Sequence, residues 1–268
     1  MTSDIQIHHA NCLDIMPNMY GIDLIVTSPP YGTIRSYEDT VNDDKPFDFE
    51  GVASACYGAL KPNGILCWNV GDQVINGSKA LIPERQSIFF TDSVGFKLVS
   101  KILYKKSFPK SYGKRKPYEC WEPVYIFAKG DDYIYNPIYD RPNKNPGAVR
   151  HAHRRAIDGS VERGNLNPPT PELGARHDIW SYGVGKFHTR NDVDGTYELE
   201  HPAMMPRKLA EDLITSWSNP GETVLDPMAG SGTTLVAAIK TGRDGIGIER
   251  VEKYVEMMRR RTRQRNLV

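Results

Sequence analysis

One stretch near the carboxyl end of the chain constrains the fold more than any other feature of the sequence. A short apolar run, Thr223–Asp226, is followed by a turn that contains Gly230 and Gly232, then by a helical stretch, Thr233–Lys240, and a second apolar run, Asp244–Glu249. A strand, a glycine turn, a helix and a strand that ends in an acid are the layout of a nucleotide-binding βαβ unit. The two glycines let the backbone bend and let a ligand approach closely. The sequence therefore predicts two parallel strands with a ligand site at their carboxyl ends.

The rest of the sequence extends this pattern. Strand-like runs rich in β-branched and aromatic residues cover 5–8, 24–27, 65–70, 98–104 and 124–128. Helix-like stretches at 49–60, 83–93 and 206–217 alternate with them. Strands that alternate with helices indicate an α/β fold with a mostly parallel sheet and helices on both faces.

Composition excludes several classes of protein. The chain has 268 residues, 39% of them hydrophobic, and no apolar run approaches the roughly 20 residues that span a bilayer. Its beginning lacks the pattern of a signal peptide, so we expect a cytoplasmic protein. The four cysteines show no metal-binding spacing, which predicts reduced thiols and no metal site.

Charge is distributed unevenly along the chain. Residues 1–100 carry a net charge of −6, residues 101–190 carry +8 and residues 191–268 carry −1. Residues 131–198, most of which lie in the basic part, lose the strand and helix pattern and are dominated by Pro, Gly, Asn and Arg. A basic, irregular middle region predicts a polyanionic partner for that region.

A second motif follows the apolar run 24–27. The loop Ser28-Pro29-Pro30-Tyr31 is stiffened by its two prolines and carries a hydroxyl, a free carbonyl and an aromatic ring. Two acceptors, Ser28 Oγ and the Pro29 carbonyl, suit the two hydrogens of an aromatic amine, whose lone pair would then become available for methylation. Tyr31 offers a face for stacking of a base that has been extruded from the duplex.

Together these segments resemble the amino-methylating DNA methyltransferases, the N4-cytosine and N6-adenine family. The resemblance implies S-adenosylmethionine as cofactor, a Rossmann-like methyltransferase fold and catalysis by the loop Ser28, Pro29, Pro30 and Tyr31. The family's acid, Glu249, is placed to accept the ribose hydroxyls. The cofactor-binding residues that the resemblance implies are Asn11, Cys12, Met205, Pro206, Asp226, Pro227, Met228, Gly230, Ser231, Gly232, Thr233, Thr234 and Glu249.

The order of the motifs is similar to that of the permuted β class of these enzymes, in which the catalytic loop precedes the cofactor turn. It implies a catalytic half at 1–130, a target-recognition region at 131–198 and a cofactor-binding half at 199–268, with DNA as partner and a possible homodimer of a prokaryotic or phage-type enzyme. The basic residues that we expect to contact DNA, for each of which a solvated surface charge is an equal alternative, are Lys114, Arg115, Lys116, Arg150, Arg154, Arg155 and Arg190. The run Arg259, Arg260 and Arg261 is explained equally by the dipole of a last helix or by DNA.

Ser28 favours cytosine N4 as the methylated atom, because Asp is the usual adenine signature at this position in the family. Adenine N6 stays an alternative, since no physical argument forbids a serine acceptor there. An RNA or protein methyltransferase of the same fold is disfavoured by the motif order. A non-catalytic nucleotide- or DNA-binding protein is disfavoured by the intact loop and turn.

Overall fold

The structure of the protein is a computed structural model that describes residues 3–30, 47–106, 117, 119–183 and 205–263. The chain divides into two compact units. The first contains Met1–Asn136 and Asp178–Val268, and the second contains Pro137–His177.

Strands dominate both units. The described residues form, in chain order, β1 (Ile5–His9), β2 (Ile22–Thr27), β3 (Leu60–Asn69), β4 (Val74–Ile75), β5 (Ser78–Lys79), β6 (Lys97–Lys106), β7 (Trp121–Ala128), β8 (Tyr139–Pro142), β9 (His151–Arg155), β10 (Val161–Leu166), β11 (Leu173–Ala175), β12 (Ile179–Tyr182), β13 (Thr223–Asp226) and β14 (Asp244–Glu249). The helices are α1 (Cys12–Ile15), α2 (Phe49–Ala59), α3 (Ile82–Phe89), α4 (Arg207–Trp217), α5 (Thr233–Lys240) and α6 (Glu252–Arg263). A turn of π-helix, Phe90–Val94, continues α3 and ends at Gly95, whose φ of 95° is accessible to glycine.

The first unit is built on an eight-stranded sheet with the order β1-β14-β13-β2-β3-β7-β6-β12. All neighbouring strands are parallel except β7, which runs antiparallel to β3 and β6. The sheet confirms the predicted α/β fold. The strand order reverses between β13 and β2, and ligands of open α/β sheets bind at the carboxyl ends of the strands at such a switch point.

The core explains why the sheet forms where it does. Leu24, Ile25 and Val26 are consecutive in β2 and each is 0% exposed. Because successive side chains of a strand point to opposite faces, both faces of β2 are covered. On one side, Phe90 packs between Trp68 and Phe127, with ring centroids 5.1 and 4.7 Å away.

The second unit is a single antiparallel hairpin. At its base, β8 pairs with β11, and at its outer end, β9 pairs with β10. Backbone hydrogen bonds from Asn143 to Glu172 (2.9 Å), from Gly147 to Thr170 (2.8 Å) and from Asn167 to Arg150 (2.8 Å) connect the two pairs, while the turn 156–160 closes the end. The stretch 131–198, which we expected to be irregular, contains five short strands among its described residues: β8 to β11 form this ribbon at 137–177, and β12 joins the main sheet.

Candidate active site

The glycine turn after β13 is held by left-handed backbone and by packing. Gly230 has a φ of 50° and Gly232 a φ of 78°. A Cβ at Gly232 would lie 2.5 Å from Met258 Cγ of α6. The close approach at Gly232 is therefore an approach of the turn to α6, whereas the sequence had suggested an approach to a ligand.

Asp226, at the end of β13, is the centre of the hydrogen bonds behind this turn. Its carboxylate is 5% exposed and accepts from Thr27 Oγ1 (2.8 Å), from Met228 N (3.1 Å) and from Thr234 Oγ1 (2.7 Å). Burial raises the pKa of Asp226 to about 6, with the charge of Glu249 adding to the rise and the three hydrogen bonds opposing it. The carboxylate thus has its donors inside the protein and connects three segments.

The most consequential of these bonds joins the two sequence motifs. Thr27 is the last residue of β2, is 0% exposed and is followed directly by Ser28. Its hydroxyl donates to Asp226 across the switch point between β2 and β13. The structure therefore places the start of the Ser28-Pro29-Pro30 loop beside the start of the glycine turn. Ser28 and Pro30 are half-buried and Pro29 is buried, while Tyr31 lies outside the described residues.

Glu249, at the end of β14, is a second acid at the same edge. Gly230 N donates to its Oε2 (2.8 Å) and Val251 N donates to its Oε1 (2.9 Å). Burial raises the pKa of Glu249, and these backbone hydrogen bonds oppose the rise. A carboxylate can accept about four hydrogen bonds, so Glu249 keeps acceptor capacity beyond its backbone donors.

The first loop of the chain reaches this acid. Ala10 N donates to the Glu249 carbonyl (3.0 Å), which ties the end of β1 to the end of β14. Asn11 then caps α1 by accepting from Leu13 N (3.1 Å). Cys12 is buried, and burial raises the pKa of its thiol to about 11, so the thiol is neutral at physiological pH.

Met205 and Pro206 stand at the start of α4. Pro206 is buried, Met205 is half-buried, and Ala210 N donates to the Pro206 carbonyl (3.2 Å) in the first turn of the helix. Pro227, Ser231, Thr233 and Thr234 are buried in the glycine turn and the first turn of α5, and Met228 is half-buried.

Arg261 contacts the glycine turn, a position that was not predicted for it from the sequence. Its Nη1 donates to the Ser231 carbonyl (2.6 Å) and to Ser231 Oγ (2.9 Å), and lies 3.3 Å from Thr233 Oγ1. The side chain therefore braces the glycine turn, whereas the sequence left only the helix dipole or DNA for it. Its position one turn after Met258 on α6 was the available signal, because residues three apart share a helix face.

The residues expected to contact DNA are only partly described. Arg150, Arg154 and Arg155 are exposed on the hairpin of the second unit, while Lys114, Arg115, Lys116 and Arg190 lie outside the described residues. Across the described ranges, no cluster of His, Cys, Asp and Glu could hold a metal ion. Among the helices of the same ranges, none is long and apolar enough to cross a membrane.

The charged residues around the glycine turn indicate which kind of ligand the site suits. Asp226 and Glu249 are two acids at one edge of the sheet, and the negative charge of their ionised forms disfavours a ligand that brings phosphates. Arg261 is the cation that contacts the turn, and it is engaged by Ser231 and Thr233 from behind. The residues therefore fit a cationic ligand with vicinal hydroxyls, as S-adenosylmethionine is.

Comparisons with known proteins agree with this geometry. The family model described as DNA methylase, for N6 and N4 methyltransferases, matches residues 22–260. The orphan methyltransferase M.BamHII of Bacillus amyloliquefaciens is 36% identical over 242 residues, covering 90% of this chain and 88% of the relative. The solved structure of the PvuII DNA methyltransferase, described as cytosine-N4-specific, superposes with a TM-score of 0.65 at 19% identity over 97% of this chain and 87% of that one. The complex of M1.HpyAVI with S-adenosylmethionine gives a TM-score of 0.62 at 22% identity over 96% and 99%.

Proposed function

Because the chain belongs to the DNA methylase family of N6 and N4 methyltransferases, and is an S-adenosylmethionine-dependent DNA methyltransferase, we propose that it methylates the exocyclic amino nitrogen of a flipped base, with N4 of cytosine favoured. One observation carries the proposal. The hydrogen bond from Thr27 to Asp226 (2.8 Å) sets the Ser28 loop beside the glycine turn, so that amine acceptors and cofactor residues share one strand edge.

The loop orients the amine. Ser28 Oγ and the Pro29 carbonyl accept the two amino hydrogens and draw the nitrogen toward tetrahedral geometry, which directs its lone pair away from the ring. Tyr31 stacks on the extruded base. When bound, S-adenosylmethionine supplies an electrophilic methyl group on a sulfonium. No strong base is needed, because the nitrogen loses its proton only after it has become cationic, so the protein contributes orientation and fixed dipoles.

The cofactor is held by the residues around the turn. Glu249 accepts the ribose hydroxyls with the acceptor positions that Gly230 and Val251 leave open. Asp226 acts behind the turn, where its hydrogen bonds hold the backbone in place, and its negative charge favours a cationic ligand in front. The remaining residues proposed to line the cofactor are Asn11, Cys12, Met205, Pro206, Pro227, Met228, Ser231, Gly232, Thr233 and Thr234.

The choice of base rests on Ser28. A neutral hydroxyl is a weaker acceptor than the carboxylate that adenine enzymes of this family usually carry in the same place. Serine at this position is similar to the N4-cytosine members of the family, and this likeness favours cytosine. Adenine N6 is the second candidate, because its amino group also offers two hydrogens to the same two acceptors. DNA contacts are proposed for Arg150, Arg154 and Arg155, together with Lys114, Arg115, Lys116 and Arg190.

The experiment that tests the proposal identifies the methylated atom. The protein is incubated with methyl-labelled S-adenosylmethionine and unmodified duplex DNA, the DNA is digested to nucleosides, and these are separated by chromatography. We expect label in N4-methylcytosine. Label in N6-methyladenine would overturn the cytosine assignment and leave the amino-nitrogen mechanism intact. Label on C5 of cytosine, or no label on DNA, would overturn the mechanism itself.

A further inference from the structure

The outer end of the hairpin in the second unit is exposed on both faces. All six residues of β10 are exposed, as are the last three of β9, and Val161 and Leu166 keep 58% and 61% of their surface. A two-stranded hairpin is marginally stable in water, because neither face has a core to rest on. A ribbon that has no covered face among the described residues is therefore suited to gain its stability from a partner.

The two faces of this ribbon differ in charge. Directly opposed residues of antiparallel strands share a face, and side chains alternate along each strand. The register pairs His153 with Arg163 and Arg155 with Val161, and it places His151 on the same side. This side, which we term the basic face, is defined by His153, Arg155 and Arg163 and has no acidic side chain at any β9 or β10 position.

On the opposite face, a positive charge is compensated by a negative one. Arg154 is paired in register with Glu162, so its charge faces an acid across the strands. Next to this pair the backbones are close, since a Cβ on Gly164 would lie 3.2 Å from the Cβ of Ala152. This face therefore offers little net charge and a small-residue surface.

Two other arginines of the second unit already have partners. Arg176 donates to Asp140 (Nε to Oδ2, 2.9 Å) and Arg141 donates to the Ala175 carbonyl (3.1 Å), so both are engaged at the base of the hairpin. By contrast, within the described part of the chain neither Arg155 nor Arg163 has an ion-pair or hydrogen-bond partner for its side chain.

We propose that the basic face lies in the major groove of duplex DNA, with Arg155 and Arg163 contacting the phosphates that border the groove. The inference deepens the proposed function, on which it rests for the choice of DNA as partner. The major groove is about 12 Å wide and admits a two-stranded ribbon, whereas the minor groove, at about 6 Å, does not. Arginine suits this contact, because its planar fork bonds a phosphate with two donors. Arg163 thus joins the DNA-binding residues, and Arg154 contributes less than its neighbour.

The test measures how binding to DNA depends on salt. Fluorescence anisotropy with a labelled mixed-sequence duplex gives the slope of log K against log salt between roughly 50 and 200 mM. Each phosphate contact contributes about 0.9 to this slope, so Arg155→Ala and Arg163→Ala should each reduce it by about 0.9 and the double variant by about 1.8. Arg154→Ala should reduce it less than either. Lys144→Ala, which removes an exposed cation of the same unit outside β9 and β10, should leave the slope unchanged.

Several outcomes would overturn the proposal. A double variant with the wild-type slope, or an Arg154→Ala slope reduced as much as that of Arg155→Ala, contradicts the basic face. If netropsin, a minor-groove ligand, displaces the protein from DNA and methyl green, a major-groove ligand, does not, binding in the major groove is contradicted. An effect confined to single-stranded DNA contradicts a duplex partner.

Folding and function are checked in parallel. Thermal unfolding and cofactor binding of the variants should match the wild type, since the three substituted arginines are exposed. If the wild type methylates DNA and the double variant keeps the wild-type salt slope, the inference about the ribbon alone is overturned. A wild-type protein that neither binds nor methylates duplex DNA would overturn the proposed function as well.

Discussion

Replacing Thr27 by valine removes one hydroxyl at the point where the two motifs meet. Valine has nearly the same shape, so the main loss is the hydrogen bond from Thr27 Oγ1 to Asp226 Oδ1 (2.8 Å). A hydrogen bond to a buried charged group contributes about 1.5–3 kcal/mol, so we expect a loss of about 2 kcal/mol in the free energy of unfolding. For a domain of this size, that corresponds to a fall of roughly 4–8 °C in Tm.

The same substitution should also separate two kinetic quantities. The Ser28 loop loses its anchor, so kcat for methyl transfer falls, while the glycine turn keeps the hydrogen bonds from Asp226 to Met228 and Thr234 and the Kd for S-adenosylmethionine changes little. The pKa of Asp226 should rise above about 6, because Thr27 is one of the donors that hold it down.

Thr234→Val is the matched control. It removes an equivalent hydrogen bond to the same carboxylate (2.7 Å) but releases α5 on the cofactor side. We expect a similar loss of stability with a weakened Kd for the cofactor. Thr27→Ser, which keeps the hydroxyl, should restore most of the kcat. Urea unfolding, calorimetry of cofactor binding and steady-state kinetics measure these quantities. An unchanged stability and kcat in Thr27→Val would refute the reasoning.

Three further predictions concern the buried side of the turn. Burial raises the pKa of Asp226 from 3.8 to about 6. The stability that the protonated carboxyl contributes is therefore full below about pH 4, and about 3 kcal/mol of it is lost as the pH rises to about 6. The free energy of unfolding of the wild type minus that of Asp226→Asn, measured with urea across this range, should show this fall, and a flat difference would contradict it. Gly232→Ala should destabilise the protein by roughly 1–3 kcal/mol, because its Cβ overlaps Met258 Cγ, and an unchanged unfolding midpoint would count against that packing. Arg261→Ala should lower the free energy of unfolding by about 2 kcal/mol, because it removes the hydrogen bonds to the glycine turn. Arg260→Ala, which removes an exposed neighbouring cation, should lower it by less than about 0.5 kcal/mol. Equal losses in the two variants would argue against a role of Arg261 in stabilising the turn.

The parts of the fold that could be predicted from sequence are those with strong local signals. The elements Thr223–Asp226, Thr233–Lys240 and Asp244–Glu249 have the predicted bounds, because each is a buried apolar run bounded by glycine or a polar turn. The strands of the first half were predicted, but with bounds that are too narrow. For example, β3 begins at Leu60, although its apolar run begins at Ile65. Leu60 is paired with Ile22 of β2, a contact between strands that the sequence of a single segment does not reveal.

The hairpin of the second unit could not be predicted in the same way. The β10 sequence, Val-Glu-Arg-Gly-Asn-Leu, is exposed throughout, so no face selects apolar residues and no alternation arises. Its partner β9 is equally polar, and their pairing depends on residues that are far from any core. The basic charge of the region was visible in the sequence, but its confinement to one face depends on register.

The site itself was predicted as two separate motifs. Their meeting at Asp226 depends on the adjacency of β2 and β13, strands about 200 residues apart in the chain, with Thr27 and Asp226 separated by 199 positions. Thr27 and Arg261 were missed as positioning residues for this reason, because their partners are distant in sequence and ordinary in type. The Ser28 loop indicates an amino nitrogen, and the structure adds what holds that loop beside the cofactor turn.

The measurement that tests this account most directly is single-turnover methyl transfer by Ser28→Ala, together with the Kd for S-adenosylmethionine. Removing one preorganised hydrogen-bonding group from a reacting centre costs roughly 100- to 1,000-fold in rate. The account predicts a loss of this size with a Kd close to the wild-type value, since Ser28 follows β2 and the hydrogen bonds of the glycine turn do not depend on its side chain. An unchanged rate, or a Kd that weakens in proportion to the rate, would contradict the role of the loop in orienting the amine.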